Sequence, residues 1–191
     1  MTRVVLATRN PGKVAELQVL LTGVELVGLG DVTAYEEPAE TGATFAENAL
    51  IKARAAVAAT GLAAVADDSG LAVDALNGMP GVLSARWAGR HGDDGANLRL
   101  VLDQVGEVPQ ERRGAGFVCA AAFVAPDGTE VVEEAVWRGR LIREPLGDNG
   151  FGYDPIFVPE GHDRTSAQLD PAEKNAISHR AQAFRALAAR L

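Results

Sequence analysis

Four short stretches hold residues whose types and spacing suit phosphate chemistry. Thr8-Arg9-Asn10-Pro11-Gly12-Lys13 lies between an apolar strand-like run and a helix-like one. Backbone N–H groups at a helix N-terminus attract anions, and the helix dipole favours negative charge there. Gly12 lets a phosphate approach the backbone, and Lys13 adds a point charge. The P-loop spacing GxxxxGK[ST] is absent, and the same residues also suit an ordinary capped helix start with a solvated lysine. The second stretch, Ala66-Asp67-Asp68-Ser69-Gly70, follows an apolar run. Magnesium takes hard oxygen ligands, often one or two carboxylates plus substrate phosphates. Successive strand side chains point to opposite faces, so one of Asp67 and Asp68 is expected to face a ligand while the other bonds local backbone. A plain Asp-Asp-Ser-Gly turn is the competing reading. Glu40, in the polar loop Glu40-Thr41-Gly42, could be a second carboxylate or simply a solvated one.

The third stretch is Gly150-Phe151-Gly152-Tyr153-Asp154-Pro155. Two glycines around an aromatic ring suit a planar ligand that stacks on it, and Asp154 can accept hydrogen bonds from a base or a ribose. An aromatic turn packed on the core would look the same. The fourth is the last helix. Lys174 falls in its first turn, where the dipole disfavours a cation unless an anion is near. His179 and Arg180 fall off the expected apolar stripe and so stand as donors. Arg112-Arg113 reads as a solvated basic pair, and Glu133-Glu134 as the wet face of a strand. HExxH, paired CxxC and nucleophile-elbow patterns are missing, which removes support for zinc or acyl-enzyme chemistry.

The elements that must position these groups follow from periodicity. Arg3 to Ala7 and Val24 to Leu29 read as strands. Between them, Asn10 caps a helix to Leu21 with Pro11 at its first position and a stripe of Val14, Leu17 and Leu20. Thr44-Phe45-Ala46-Glu47 has capping-box spacing and opens a helix to about Thr60, ended by Gly61. Leu62 to Ala66 and Gly70 to Ala75 read as two strands around the aspartates. Gly78 to Gly92 is loop-like, and Asp94 to Val105 helical. Gly116 to Ala125 and Thr129 to Arg138 flank Pro126-Asp127-Gly128, a hairpin signal. Phe151 to Val158 is a short segment. Asp170 caps a final helix with Pro171 first, Glu173 third, and Ile177, Ala181, Phe184 and Leu187 as its stripe. Alternating strands and helices followed by a hairpin predict an α/β fold with a mixed sheet.

Composition narrows the partners. A chain of 191 residues, 47% hydrophobic and 23% charged, fits one globular domain over 1–191, with or without two lobes. One cysteine, Cys119, sits in an apolar strand and excludes an intrachain disulfide, so a buried inert thiol is expected. The apolar run Met1 to Thr8 is too short for a secretion-signal core, and no stretch approaches a membrane span. A cytoplasmic protein with no membrane partner is expected. The net charge of −8 opposes binding to nucleic acid.

Taken together and in order, the segments ATRNPGK, ETGATFAENALIKA, ADDSGLAVDALNGMPGVLSARWAG, GFGYDPIF and EKNAISHRAQA resemble the inosine triphosphate pyrophosphatase family, the Ham1-like or XTP/dITP diphosphatases. The resemblance runs from about Val4 to about Phe184. It implies an α/β fold on a long mixed sheet flanked by helices, with two lobes and a nucleotide cleft, a homodimer, and a required Mg²⁺. The implied substrate is a deaminated purine nucleoside triphosphate, cut to the monophosphate and pyrophosphate. By motif, Thr8, Arg9, Asn10, Pro11, Gly12 and Lys13 would cradle phosphates. Asp68 would bind Mg²⁺ and accept a proton, with Ser69 on the substrate and Glu40 a further metal ligand. Phe151, Gly152, Tyr153, Asp154, Lys174, His179 and Arg180 would contact the nucleotide. Arg9 stands where many relatives carry glycine. Two rivals are a Maf-like pyrophosphatase acting on other nucleotides and a non-catalytic nucleotide sensor.

Overall fold

The computed structural model describes residues 3–8, 13, 17, 25–32 and 34–191. Most of the expected helix from Asn10 to Leu21 lies outside them, as do Arg9, Asn10, Pro11 and Gly12 of the phosphate motif; Lys13 and Leu17 are both helical. The described residues form a six-stranded sheet ordered β2-β1-β3-β4-β5-β6. These strands are β1 (Arg3–Leu6), β2 (Glu25–Gly28), β3 (Ala63–Val73), β4 (Gly114–Val124), β5 (Glu130–Leu141) and β6 (Phe157–Pro159). β1 pairs parallel to both β2 and β3, and β5 pairs antiparallel to β6, so the sheet is mixed. The helices are α1 (Phe45–Thr60), α2 (Asp94–Gln104), α3 (Pro171–Ile177) and α4 (His179–Ala188).

The chain divides into two compact units, one of residues 1–68, 119–135 and 180–191 and the other of residues 69–118 and 136–179. In the first, strand alternation sorts the core into two clusters. Val4, Leu6, Ala63, Val65, Cys119 and Ala121 pack with Phe184 and Leu187 of α4. The intervening Val5, Ala64, Ala66, Ala120 and Ala122 pack with Ala49, Ala53 and Ala56 of α1. Each strand is therefore apolar on both sides, one covered by α4 and the other by α1. Small alanines on both partners let α1 approach closely. In the second unit Leu71, Val73, Phe117, Trp137, Tyr153, Ile156 and Phe157 form the core with Leu98 and Val101 of α2.

Caps set the helix limits. Thr44 accepts from the Glu47 amide, and Gly61 ends α1 in the left-handed conformation at φ 68°. Glu47 reaches back to the Ala43 amide at 2.6 Å, one residue before the cap. The capping box at Asp170 is complete, with Pro171 at the first position.

Three expectations are corrected. The segments around Asp67 and Asp68 are one continuous strand, not two strands and a turn. The carboxylates find buried partners, so the backbone has no need to turn them out to water. Gly70 is required by packing, since a Cβ there would meet Ser84 and the Gly81 carbonyl. The final helix is two helices that break at Ser178, whose backbone is extended at ψ 159°. That break turns His179 and Arg180 inward, and both are buried rather than off the packed surface. Arg113 is not a solvated loop residue. It is buried and donates to the carbonyls of Val105, Leu141 and Ile142.

Candidate active site

Asp67 and Asp68 are adjacent on β3 and buried on opposite sides of it. Alternation puts Asp67 on the side of Ala63 and Val65, which α4 covers. There its Oδ2 accepts from Lys13 Nζ at 2.8 Å and Arg180 Nε at 3.4 Å, with the Cys119 thiol 3.9 Å away. Where the sequence suggested local backbone as its partner, two cations converge on it. Burial alone would push its pKa up, but Lys13, Arg180 and Lys52 outweigh that and hold it well below the usual carboxylate range. Beside these charges Cys119 is buried and its thiol pKa is raised, by burial first and then by Asp67, as befits an inert thiol.

Asp68 lies on the side of Ala64 and Ala66, which α1 covers. Asn48 and Lys52, four residues apart on α1, share the face that carries Ala49, Ala53 and Ala56. Asn48 Nδ2 donates to Asp68 Oδ2 at 3.1 Å, and its amide oxygen accepts from the Gly42 amide at 2.8 Å. Lys52 Nζ donates to Asp68 Oδ1 at 3.2 Å and to Glu40 Oε1 at 3.0 Å. One ammonium thus bridges the two carboxylates expected as metal ligands. Burial raises the pKa of Asp68, Lys52 opposes the rise, and Glu40 adds to it, leaving the group above its ordinary value. Neither Asn48 nor Lys52 is among the residues expected from the sequence. The signal for them is a polar pair at i, i+4 on a helix face otherwise made of alanine.

The third stretch meets Lys174 of the fourth within the second unit. Asp154 is buried and accepts from Lys174 Nζ at 2.6 Å, Ser166 Oγ at 2.7 Å and the Phe151 amide at 2.9 Å. Lys174 Nζ also lies 5.1 Å from the centroid of the Phe151 ring, which is 42% exposed. Because the helix stops at Ile177, Lys174 lies in the last turn of the short α3 rather than the first turn of a long helix, and its cation is answered by a carboxylate of the protein itself. Tyr153 is buried and its hydroxyl donates to the Ser84 carbonyl at 2.7 Å. His179 is stacked against Phe117, with centroids 5.0 Å apart and planes 14° apart. His179 and Arg180, adjacent in sequence, fall in different units. Ser69 is half-buried and follows Asp68 on β3, and Thr8 follows β1.

Residues 4–190 match the sequence profile of the Ham1 family. The chain belongs to the Ham1 family. A dITP/XTP pyrophosphatase of Mycobacteroides abscessus is 62% identical over 190 residues, 97% of this chain and 92% of that one. A dITP/XTP pyrophosphatase of Streptomyces coelicolor is 59% identical over 191 residues, 98% of this chain and 96% of that one. Among solved structures, a Ham1 protein from Coxiella burnetii has a TM-score of 0.91 at 44% identity, covering 100% of this chain and 98% of its own. The mixed α/β fold with helices on its sheet is thus the Ham1 fold.

The donor set of the Ham1 chain near Asp68 suits a magnesium ion. Two carboxylates from separate segments already converge on one positive charge, and both offer hard oxygens. The remaining positions would fall to water and substrate phosphate. Among the described residues no helix is long and apolar enough to cross a membrane.

Proposed function

We infer that this chain is a nucleoside-triphosphate pyrophosphatase that hydrolyses deaminated purine nucleotides, dITP, ITP and XTP, to the monophosphate and pyrophosphate. The observation that carries the reading is the convergence of Asp68 and Glu40 on one cation within a Ham1 chain. Glu40 and Asp68 would hold the magnesium ion. When bound, it supplies positive charge that offsets the charge developing on the phosphate oxygens.

The chain's own residues supply the rest. Asp68, with its raised proton affinity and its fixed hydrogen bond from Asn48, accepts or orients the proton of a water aimed at the α-phosphorus. Pyrophosphate then leaves, and no covalent intermediate is required. Lys13, held by Asp67, and the segment Thr8 to Gly12 take the phosphates, with Ser69 on the substrate. Phe151 stacks on the base, and Gly152, Tyr153, Asp154 and Lys174 shape that end of the site. His179 and Arg180 contact the nucleotide. A homodimer in the cytoplasm, without nucleic-acid or membrane partners, completes the proposal.

The test is pyrophosphate release from ITP, dITP, XTP, GTP, ATP and UTP with Mg²⁺. Fast turnover of the first three alone is expected. Preference for UTP would favour a Maf-like activity, and tight binding without turnover would favour a sensor.

A further inference from the structure

Lys52 is a cation in the place where a metal is wanted. It rises from the middle of α1, and its ammonium lies 3.0 Å from Glu40 and 3.2 Å from Asp68. Asp68 is held by more than Lys52. Asn48 ties the other Asp68 oxygen to the Gly42 amide, two residues after Glu40 in the same loop. The pocket is therefore built for a positive charge, and a lysine satisfies it without any metal.

We propose that Lys52 is an internal placeholder that keeps divalent metal off Glu40 and Asp68 until a polyphosphate binds. This rests on the reading of Glu40 and Asp68 as the metal ligands. An incoming dication would meet a charged ammonium within contact distance of the same oxygens, and the two repel. The ammonium sits on a flexible four-carbon stem and can swing away, but it then needs another anion. A triphosphate or pyrophosphate group supplies one. Metal and polyphosphate therefore favour each other's binding, and the coupling runs equally in both directions. The free protein does not hold a metal ion idle, and the carboxylates stay paired in its absence.

The test is Mn²⁺ binding to the full chain without nucleotide, read by the electron paramagnetic resonance of free Mn²⁺. Lys52→Met keeps the unbranched stem, one atom shorter, and removes the charge. It is expected to tighten Mn²⁺ binding by roughly tenfold or more, a modest share of what a like charge in contact exerts near a protein surface. Lys52→Arg keeps the charge and should bind Mn²⁺ as the wild type does. Inorganic pyrophosphate should tighten Mn²⁺ binding more in the wild type than in Lys52→Met, after correction for Mn²⁺ held by free pyrophosphate. A purely structural salt bridge predicts otherwise: lower thermal stability in Lys52→Met with Mn²⁺ affinity unchanged or weaker, which would overturn the proposal. Adding Glu40→Gln to Lys52→Met separates the two readings. If the gain in affinity vanishes, both stand. If the gain persists, the metal lies elsewhere and the ligand assignment falls with the placeholder. If Lys52→Met shows no gain while Glu40→Gln alone weakens Mn²⁺ binding, the ligands stand and the placeholder falls.

Discussion

Asp68 on β3 and Asp154 beside the Gly150–Gly152 turn are both buried carboxylates joined to a lysine, but their surroundings differ. Asp154 has a lysine within 2.6 Å, a serine hydroxyl and a backbone amide, all from its own unit. Its negative charge is matched one to one, and the arrangement fixes a turn. Asp68 shares its lysine with Glu40, so two carboxylates meet at one cation. A metal would bridge the same two carboxylates, and burial first, with Glu40 adding to it against Lys52, raises the proton affinity of Asp68. A carboxylate held by one lysine, one hydroxyl and one amide reads as scaffold, whereas two carboxylates meeting at one cation read as chemistry.

The largest effect should come from Asp68→Asn. Removing a metal ligand and proton acceptor together should lower kcat for ITP by roughly a thousandfold, within the range for positioned acid–base groups, while thermal stability changes little. Asp67→Asn should behave in the opposite way. It leaves Lys13 and Arg180 buried against a neutral amide, at a cost of about 3 kcal/mol, typical of a broken buried pair. For a chain of this length that lowers Tm by roughly 6–12 °C. Because the pKa of Asp67 is depressed on folding, its contribution is full above the unfolded value of about 3.9 and is lost as pH falls through the lower folded value. The Tm gap between wild type and Asp67→Asn should therefore close in strong acid. Similar losses of kcat in the two variants would erase the distinction between the two faces of β3.

These roles were only half legible in the sequence. The alternation that sends Asp67 and Asp68 to opposite sides follows from strand geometry and holds. That both sides are buried does not follow, because it depends on α4 packing over one and α1 over the other. The apolar runs on either side of Asp67-Asp68-Ser69-Gly70 suggest a turn because charge and glycine usually mean water. Here tertiary partners satisfy the carboxylates and Gly70 admits Ser84, so the strand continues. The break at Ser178 was invisible for a similar reason. The apolar stripe Ile177, Ala181, Phe184 and Leu187 is continuous in sequence, and nothing in it marks the extended backbone that buries His179 and Arg180. The caps at Thr44, Gly61 and Asp170, by contrast, are local chemistry and were legible.

The scaffold side of the comparison can be broken at Lys174. Lys174→Met leaves Asp154 buried without its cation, at about 3 kcal/mol for a broken buried pair. The Phe151 amide then hangs on a less firmly held carboxylate, so KM for ITP should rise with the fall in Tm. Phe151→Ala should raise KM by roughly tenfold for ITP, GTP and ATP alike with Tm nearly unchanged, since stacking of about 1–3 kcal/mol per base is indifferent to base identity. If Lys174→Met raised KM and left Tm intact, Lys174 would be a ligand of the nucleotide rather than of Asp154.

His179 sharpens the comparison further. Hypoxanthine offers an acceptor at O6 beside an N1–H donor, and adenine reverses both. A pocket donor to O6 therefore favours ITP and is left unpaired by ATP. His179→Ala should narrow the ITP/ATP ratio of kcat/KM by roughly tenfold, the worth of about 1.4 kcal/mol. Arg180→Ala removes a partner of Asp67, so it should depress both substrates and destabilise the fold. A ratio that narrows only in the arginine variant would move base recognition to Arg180.

The smallest effect is expected at Tyr153. Its phenol is buried and donates to the Ser84 carbonyl, and burial, with Asp94, raises its pKa, so it stays a neutral donor. Ser84 in turn accepts from the Leu71 amide and donates to the Gly81 carbonyl, which ties the 81–86 turn to β3. Tyr153→Phe keeps the ring in the core and removes one hydrogen bond, at about 1–1.5 kcal/mol. At this length that is a fall in Tm of roughly 2–6 °C. If the hydroxyl is wholly engaged with Ser84, KM and kcat for ITP should not move. A rise in KM with unchanged Tm would instead mean that the phenol faces the nucleotide, and the motif Gly150 to Asp154 would then touch substrate through its second aromatic as well as its first.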